Sequence, residues 1–202
     1  VVYDADGDQH DDTASAFIKA MRGSDPDGAL YWLAKMIVAG EDPRFIVRRV
    51  VICASEDVGM ADSTALLVAD AAARAVEFIG MPESQLILAH AVVHVATAPK
   101  SNRTTVAIGK AIEDVKTGRT LAVPEALRDA HYKGAKRLGH GTGYQYSHDF
   151  EGGFVPQAYL PEGRIYYEPT DHGRERAVGE RLAAWRAAFE VARSAGDQRA
   201  GA

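Results

Sequence analysis

Two carboxylates directly follow an apolar run in the sequence "VVICASED", which ends at Glu56 and Asp57. A hydrophobic strand followed by acids positions magnesium in many nucleotide hydrolases, where it works together with a phosphate-binding loop, GxxxxGKS or GxxxxGKT. The sequence contains no such loop, and the apolar run lies in a helical frame that opens at Asp42-Pro43. We therefore expect Glu56 and Asp57 to be carboxylates at the surface or at a helix end.

The histidines are a second set of candidate ligands. "HAVVH" places His90 and His94 one helical turn apart, a spacing at which two imidazoles can bind one metal ion. A zinc protease would need Glu directly after the first histidine, and Ala91 stands there instead. With His148 and Asp149, these histidines could serve an all-helical metal-dependent phosphohydrolase. Such a site would be assembled in three dimensions and the spacing does not specify it, so structural histidines are favoured over that alternative.

Nucleophilic catalysis has little support in the sequence. Cys53 is the single cysteine, and burial in its apolar run would raise its pKa and keep the thiol protonated. The sequence has no GxSxG nucleophile elbow. A single cysteine also excludes a disulfide framework within the chain and indicates a reducing compartment. We assign no catalytic residue, metal ligand or cofactor to this chain.

The composition is that of an ordinary globular protein. The 202 residues are 47% hydrophobic and 25% charged, which allows a sizeable core. A net charge of −5 gives no general basic field for a polyanion. The sequence shows no signal-peptide pattern and no apolar stretch of the roughly 18 residues that a membrane span needs, so we expect a cytoplasmic protein without a membrane partner. Because the chain opens without methionine, we expect a piece of a longer protein.

Recurring helix start and stop signals predict an all-α fold. Each predicted helix begins near Asp, Ser or Pro and ends at Gly or before Pro. The six predicted helices span residues 25–40, 42–59, 62–80, 82–98, 101–118 and 124–139. The short connections between them are typical of antiparallel neighbours in a helical bundle or collar.

The region after Gly139 is rich in Gly, Pro and aromatic residues. Its length of about 35 residues is long for an unstructured connection. Its aromatic side chains predict an ordered wrap packed onto the bundle. "GRIYYEP", residues 163–169, could form one short strand. A last helix is predicted over residues 172–193, followed by a disordered tail at 194–202.

The helix over residues 25–40 is apolar on nearly all sides. Two apolar stripes run along "GALYWLAKMIV", whose only charge is Lys35. A helix of this kind must be covered on all sides, by the core or by another subunit. The residues that we assign to packing or to subunit contact are Leu30, Trp32, Leu33 and Met36.

Basic residues are concentrated in three places, "RFIVRR" with Arg44, Arg48 and Arg49, "APKSNR" and "HYKGAKRLG". The last two lie near predicted helix ends and could contact phosphate there, although solvated helix faces also explain such residues. The candidates for DNA or phosphate contact are Lys100, Arg103, Lys133, Lys136 and Arg137.

Four long motifs carry a resemblance to a known family: "RGSDPDGALYWLAKMIVAGEDPRFIVRR", "ASEDVGMAD", "ATAPKSN" and "GYQYSHDFEGGFVPQAYLP". In this order, over residues 3–170, they resemble the C-terminal part of the replication-associated recombination ATPases. This is the RarA or MgsA type of AAA+ protein, related to the Werner-helicase-interacting ATPase.

The resemblance implies that different domains of the whole protein carry different functions. Residues 1–23 would be the end of the AAA+ lid region, and residues 24–193 a helical oligomerisation domain that resembles the collar of clamp loaders and forms a homotetramer. ATP and Mg²⁺ would bind the N-terminal module of the whole protein, which would be a DNA-dependent ATPase working with replication-fork proteins at stalled forks. This chain would then hold no catalytic site. The other classes left open by the residues are the phosphohydrolase and a DNA-binding module in its own right.

Overall fold

The computed structural model describes residues 8–118, 120–131, 138–160 and 163–200, and these residues are largely helical with no β-strand among them. The α-helices within these ranges are α1 (Asp8–Arg22), α2 (Pro26–Val38), α3 (Pro43–Cys53), α4 (Thr64–Ile79), α5 (Ser84–Thr97), α6 (Arg103–Lys116) and α7 (Glu175–Ala200). The all-α fold is therefore confirmed. The chain divides into two compact units, the first running to Ile108 and adding Tyr167–Ala177, the second comprising Gly109–Tyr166 and the part from Val178 onward.

The predicted start signals form true helix caps. Asp25 caps α2 by accepting a hydrogen bond from the Gly28 amide at 2.9 Å, and Asp42 caps α3 through the Arg44 amide at 2.8 Å. In both helices a proline occupies the first turn. Backbone N–H groups in the first turn have no intrahelical acceptor, so proline, which lacks this group, loses no hydrogen bond there. Each cap contributes about 1 kcal/mol. The Asp-Pro turns thus fix where α2 and α3 begin.

Helix α5 is the central helix of the first unit and contacts α1, α2, α3 and α4. Its inward side chains, from Leu88 to Ala96, are fully buried. They pack in one hydrophobic cluster with side chains from the four neighbours, among them Phe17, Met36 and Ile46. Burying each large aliphatic or aromatic side chain contributes about 1.5–3 kcal/mol. The cluster is the core of the first unit.

The predicted helix over residues 42–59 is interrupted. After α3 ends, residues Ala54–Val58 form one π-helical turn and Gly59–Ala61 a 3₁₀ turn. A π-turn accommodates one extra residue, which rotates the following side chains relative to the α-helical pattern. Gly59 adopts φ +51°, and a Cβ there would lie 2.8 Å from the Ser101 carbonyl oxygen. Glycine therefore permits the close approach of this turn to the start of α6.

The helix predicted over residues 124–139 is wrong where the structure describes it. Within residues 124–131, Glu125–Leu127 form one 3₁₀ turn, and Arg128 is already extended at φ −74° and ψ 146°. The Asp129 carboxylate accepts the backbone N–H of His131 at 2.9 Å, a local bond that competes with helix formation. Residues 132–137 lie outside the described part of the chain.

In the second unit, aromatic side chains of the predicted wrap pack against the last helix, α7. Phe154 stacks on Trp185 of α7, with ring centroids 5.6 Å apart, and meets Phe189 edge-on at 5.5 Å. Tyr159 also contacts Phe189. Several other aromatic side chains of this segment stay exposed, with Tyr146 at 54%.

Two further boundaries differ from the prediction. The strand proposed for residues 163–169 is not formed: the structure describes this segment without any β-strand. Its Tyr166 hydroxyl instead donates a hydrogen bond to Asp114 at 2.9 Å. Helix α7 begins at Glu175 rather than at 172 and runs to Ala200, past the end predicted at 193.

Candidate functional site

A polar centre lies in the first unit, where the end of α1, the π-turn, the turn between α5 and α6 and the start of α7 meet. We define this polar centre as Arg22, Asp57, Lys100, Ser101 and Glu175. Asp57, Ser101 and Glu175 are buried, each at most 7% exposed. Buried charges are tolerated only when they are paired or hydrogen-bonded. The contacts of each member therefore show how the centre is held together.

Asp57 accepts hydrogen bonds from two sides. Arg22 Nε donates to its Oδ1 at 2.7 Å, and the Cys53 thiol donates to its Oδ2 at 3.3 Å. Its backbone carbonyl accepts the Ser101 amide at 2.7 Å. Of the two expected locations, the surface is wrong for Asp57: it lies at the helix end, in the π-turn, but is buried there beside Arg22. Glu56 stays at the helix end as expected, half-exposed and 3.6 Å from Arg22 Nη2.

Cys53 is a buried hydrogen-bond donor. Burial, followed by the charge and the hydrogen bond of Asp57, raises the pKa of its thiol to about 12. A thiol with such a pKa remains protonated at neutral pH and is a poor nucleophile. The predicted burial of Cys53 is confirmed.

Lys100 binds the end of α5 to the turn between α1 and α2. Its ammonium donates to the carbonyls of Ala96 at 2.9 Å and Ala98 at 2.6 Å, and to Ser24 Oγ at 3.1 Å. A cation at the C-terminal end of a helix stabilises its unpaired carbonyls. Burial lowers the pKa of Lys100 below its usual value. Lys100 thus uses the N–H donors of its ammonium group in hydrogen bonds to the protein itself.

Glu175 anchors the start of α7 in the first unit. Its carboxylate is fully buried and accepts the Tyr167 hydroxyl at 2.7 Å as well as the Thr170 hydroxyl. Burial tends to raise its pKa, but the hydrogen bonds from Ser101, Thr170 and Tyr167 outweigh burial and lower it. Next to it, the Arg174 amide donates to the Ala61 carbonyl at 2.8 Å.

We expect Glu175→Gln to lower the free energy of unfolding by about 1–3 kcal/mol at pH 7, because a neutral amide accepts these hydroxyls less strongly. A lowered folded-state pKa gives stability that is present above the unfolded value of 4.5 and is lost as the pH falls through the folded value. The difference between wild type and variant should therefore shrink in acid. Urea titrations at several pH values measure it, with the exposed Glu180→Gln as control. A difference independent of pH would contradict the assignment.

A shallow cavity of about 280 Å³ opens beside the polar centre. Its lining combines basic and small polar side chains with one carboxylate. The lining residues are Arg22, Asp57, Lys100, Ser101, Asn102, Arg103, Thr170 and His172. His172 is positioned by its Nδ1, which lies 2.8 Å from the Lys100 carbonyl oxygen. The arrangement can bind an anion, but it presents no activated nucleophile.

The histidine candidates do not gather into a metal site. Among the residues that the structure describes, no three His, Cys, Asp or Glu side chains are placed to hold a metal ion. His94 Nε2 lies 3.6 Å from Asp62. His148 contacts the ring of Tyr146 in the second unit. The phosphohydrolase alternative therefore has no support in this arrangement.

The four packing candidates on α2 fall into two groups. Leu33 and Met36 are buried in the core of the first unit. Leu30 and Trp32 are partly buried and pack against that core from its edge, and Lys35 lies 5.6 Å from the Trp32 ring centre. Packing is thus seen for all four, and a subunit contact through Leu30 or Trp32 stays a prediction.

The phosphate candidates are also divided. Lys100 and Arg103 line the same cavity. Lys133, Lys136 and Arg137 lie outside the described residues. Contact of any of these residues with DNA stays a prediction.

Sequence reasoning missed Arg22, His172 and Glu175 as parts of this site. The sequence gives no indication that Glu175 is buried, because the segment around it, "HGRERA", is polar throughout and is typical of an exposed surface. For Asp57 a signal existed: it follows Cys53 by four residues and precedes Gly59, at the end of an apolar run.

No α-helix in the described ranges combines the length and the apolar character needed to cross a membrane.

Comparison with known proteins relates most of this chain to a family of AAA+ ATPases. Residues 23–186 match the family model described as the MgsA AAA+ ATPase C-terminal region. An AAA domain-containing protein of Mycobacterium tuberculosis is 58% identical over 90% of this chain and 41% of its own length. Replication-associated recombination protein A of Bacillus subtilis is 43% identical over 85% of this chain and 41% of its own length.

The similarity extends beyond bacteria. The ATPase WRNIP1 of Dictyostelium discoideum is 41% identical over 80% of this chain and 19% of its own length. The chain thus spans less than half the length of the relatives that it matches. The family match covers most of the chain, including every residue of the polar centre except Arg22, which directly precedes it. The chain belongs to the MgsA AAA+ ATPase C-terminal family.

Proposed function

We propose that this chain is the C-terminal oligomerisation domain of a DNA-dependent AAA+ ATPase and assembles as a homotetramer. The whole protein would act in replication, recombination and repair at stalled forks, in the cytoplasm, with DNA and replication-fork proteins as partners. ATP and Mg²⁺ would bind a module outside this chain, which itself would hold no catalytic site. Family membership and the names of the relatives support the ATPase and its process.

The observation that carries the oligomerisation proposal is the outer face of α5. The helix "SQLILAHAVVHVAT" contains no Asp, Glu, Lys or Arg on any side. Its inner face is covered by four helices, yet Leu86 stays 69% exposed and Val93 37% exposed on the other side. An outer helix face normally carries charged residues. The uncharged face of α5 therefore fits a surface that is covered by another protein.

A groove of about 550 Å³ runs along this face. Its lining consists of Leu30 of α2 and, from α5, Leu86, Ala89, His90, Val93, His94 and Thr97. Because no Asp, Glu, Lys or Arg lines the groove, the occupant must present a matching apolar face. A second copy of the same face meets this requirement, as in the self-complementary contacts of symmetric dimers.

A second uncovered set of apolar side chains lies at the end of α4. Phe78 is 91% exposed, and Ile79 and Met81 are about half-exposed. Large exposed apolar residues that are contiguous indicate an interaction site. A tetramer with dihedral symmetry needs two different interfaces. The α5 face and the end of α4 are our candidates for these two.

We expect Leu86→Glu to break the tetramer without unfolding the chain. Leu86 lies in the first turn of α5, where an acidic residue is favourable for the helix. Two such carboxylates facing each other across the α5 interface would repel and lose their water. Light scattering should show the mass falling to that of a dimer or monomer. Circular dichroism and the melting temperature of the variant check that the fold is kept.

The matched control is Val115→Glu, because Val115 is 63% exposed on α6 but lies in the second unit. We expect this variant to keep the mass of the wild type. If Leu86→Glu and Val115→Glu both leave the mass unchanged, the α5 face is not the interface.

A further inference from the structure

We propose that the cavity beside the polar centre binds a phosphate group of a DNA backbone. The proposal rests on the proposed DNA-dependent function and adds to it a site within this chain. It changes the sequence-based prediction for this region, in which Lys100 and Arg103 were the only candidates.

The sign of the charge around the cavity is the first argument. The permanent cations of its lining are Arg22, Lys100 and Arg103, whereas Asp57 is the single carboxylate of the lining. Asp57 is buried and paired with Arg22 at 2.7 Å. The lining thus carries more cations than carboxylates, whereas the chain as a whole carries a net charge of −5. An excess of positive charge in a lining raises the concentration of an anion at the site.

The roles of the basic residues differ. Lys100 donates its hydrogen bonds to protein oxygens and fixes the shape of the turn. Arg22 contacts Asp57 through Nε and lies 3.6 Å from Glu56 through Nη2, so these two carboxylates share its charge. Arg103 lies in the first turn of α6 with an exposed side chain. Arg103 is therefore the residue that can bind phosphate without disturbing the fold.

The chemistry of the remaining lining favours phosphate over a base. Ser101, Asn102 and Thr170 are small and polar, and the only ring in the lining is that of His172. Recognition of a base needs an aromatic platform or a pattern of donors and acceptors in a groove. A cationic pocket without such a platform contacts the backbone and does not distinguish sequences. The cavity thus fits a phosphate diester.

The test uses a fluorescent single-stranded oligonucleotide and the variant Arg103→Gln. Loss of one phosphate contact weakens binding to all sequences and lowers the slope of log K against log salt by about one for each engaged site. We expect both changes for Arg103→Gln, measured by anisotropy between low and moderate salt. Arg48→Gln on α3 is the matched control, because Arg48 is also exposed and lies outside the cavity. It should change neither quantity.

Inorganic phosphate distinguishes the source of the ligand. If DNA occupies the site, phosphate at millimolar concentration competes with the oligonucleotide on wild type and has less effect on Arg103→Gln. If the affinity of Arg103→Gln for the oligonucleotide and its salt slope equal those of wild type, the proposal is overturned. This holds even if inorganic phosphate raises the melting temperature of the wild type, because the cavity would then bind a free anion and not DNA. A wild type that forms the tetramer but does not bind the oligonucleotide would also overturn it and leave the oligomerisation proposal standing.

Discussion

Phe17→Ala should lower the free energy of unfolding by about 3–5 kcal/mol, the largest effect that we expect from a single substitution. Phe17 lies on α1 and is fully buried in the core cluster of the first unit. Its removal loses the free energy of transferring an aromatic ring from water and leaves a cavity among close-packed neighbours. Urea denaturation followed by circular dichroism measures the change.

The control for Phe17 is Leu67→Ala, because Leu67 is 68% exposed on α4 of the same unit. This variant should change the free energy of unfolding by less than about 0.5 kcal/mol. The comparison also tests how α1 relates to the rest of the chain. If Phe17→Ala cost less than about 1 kcal/mol, α1 would not be an integral part of the first unit. The assignment of residues 1–23 to the end of an AAA+ lid stays a prediction in either case.

Arg22→Ala should be the second most damaging change, at about 2–3 kcal/mol. The substitution leaves the Asp57 carboxylate buried, with only the Cys53 thiol to donate to its side chain among the contacts described above. Arg22 itself is 46% exposed, and water around it reduces the loss below that of a fully buried pair. The change is measured by urea denaturation at neutral pH.

Arg44→Ala is the matched control for Arg22. Arg44 and Glu77 form an ion pair at 3.1 Å with both side chains more than half exposed. Surface pairs of this kind contribute between 0 and about 1 kcal/mol. Equal losses in Arg22→Ala and Arg44→Ala would show that the pair at the polar centre behaves like a surface pair, contrary to the burial of Asp57.

The helices of the first unit could be predicted because their signals are local. Asp25-Pro26 and Asp42-Pro43 determine helix starts through bonds within three residues, so no distant contact is needed to recognise them. The region 124–139 shows the limit of such reasoning. Its start and stop signals predict a helix, but the Asp129 carboxylate accepts the backbone N–H of His131, two residues on, and this local bond competes with the helical pattern. Local competition of this kind is not visible in residue types alone.

The polar centre could be predicted only in part. The motifs "ASEDVGMAD" and "ATAPKSN" both contribute to it, and their residue types allowed a phosphate contact for Lys100 and Arg103. The π-turn that buries Asp57, and the placement of Glu175 beside Ser101, depend on packing between segments that are distant in sequence. The burial of these carboxylates depends on tertiary contacts, and the spacing of apolar residues in the sequence does not predict it.

The mass of the chain in solution tests the central claim most directly. Light scattering across micromolar concentrations should give a mass four times the 21.7 kDa of one chain, because the uncharged face of α5 and the exposed end of α4 must be covered. A single species of 21.7 kDa at every concentration would contradict the oligomerisation proposal.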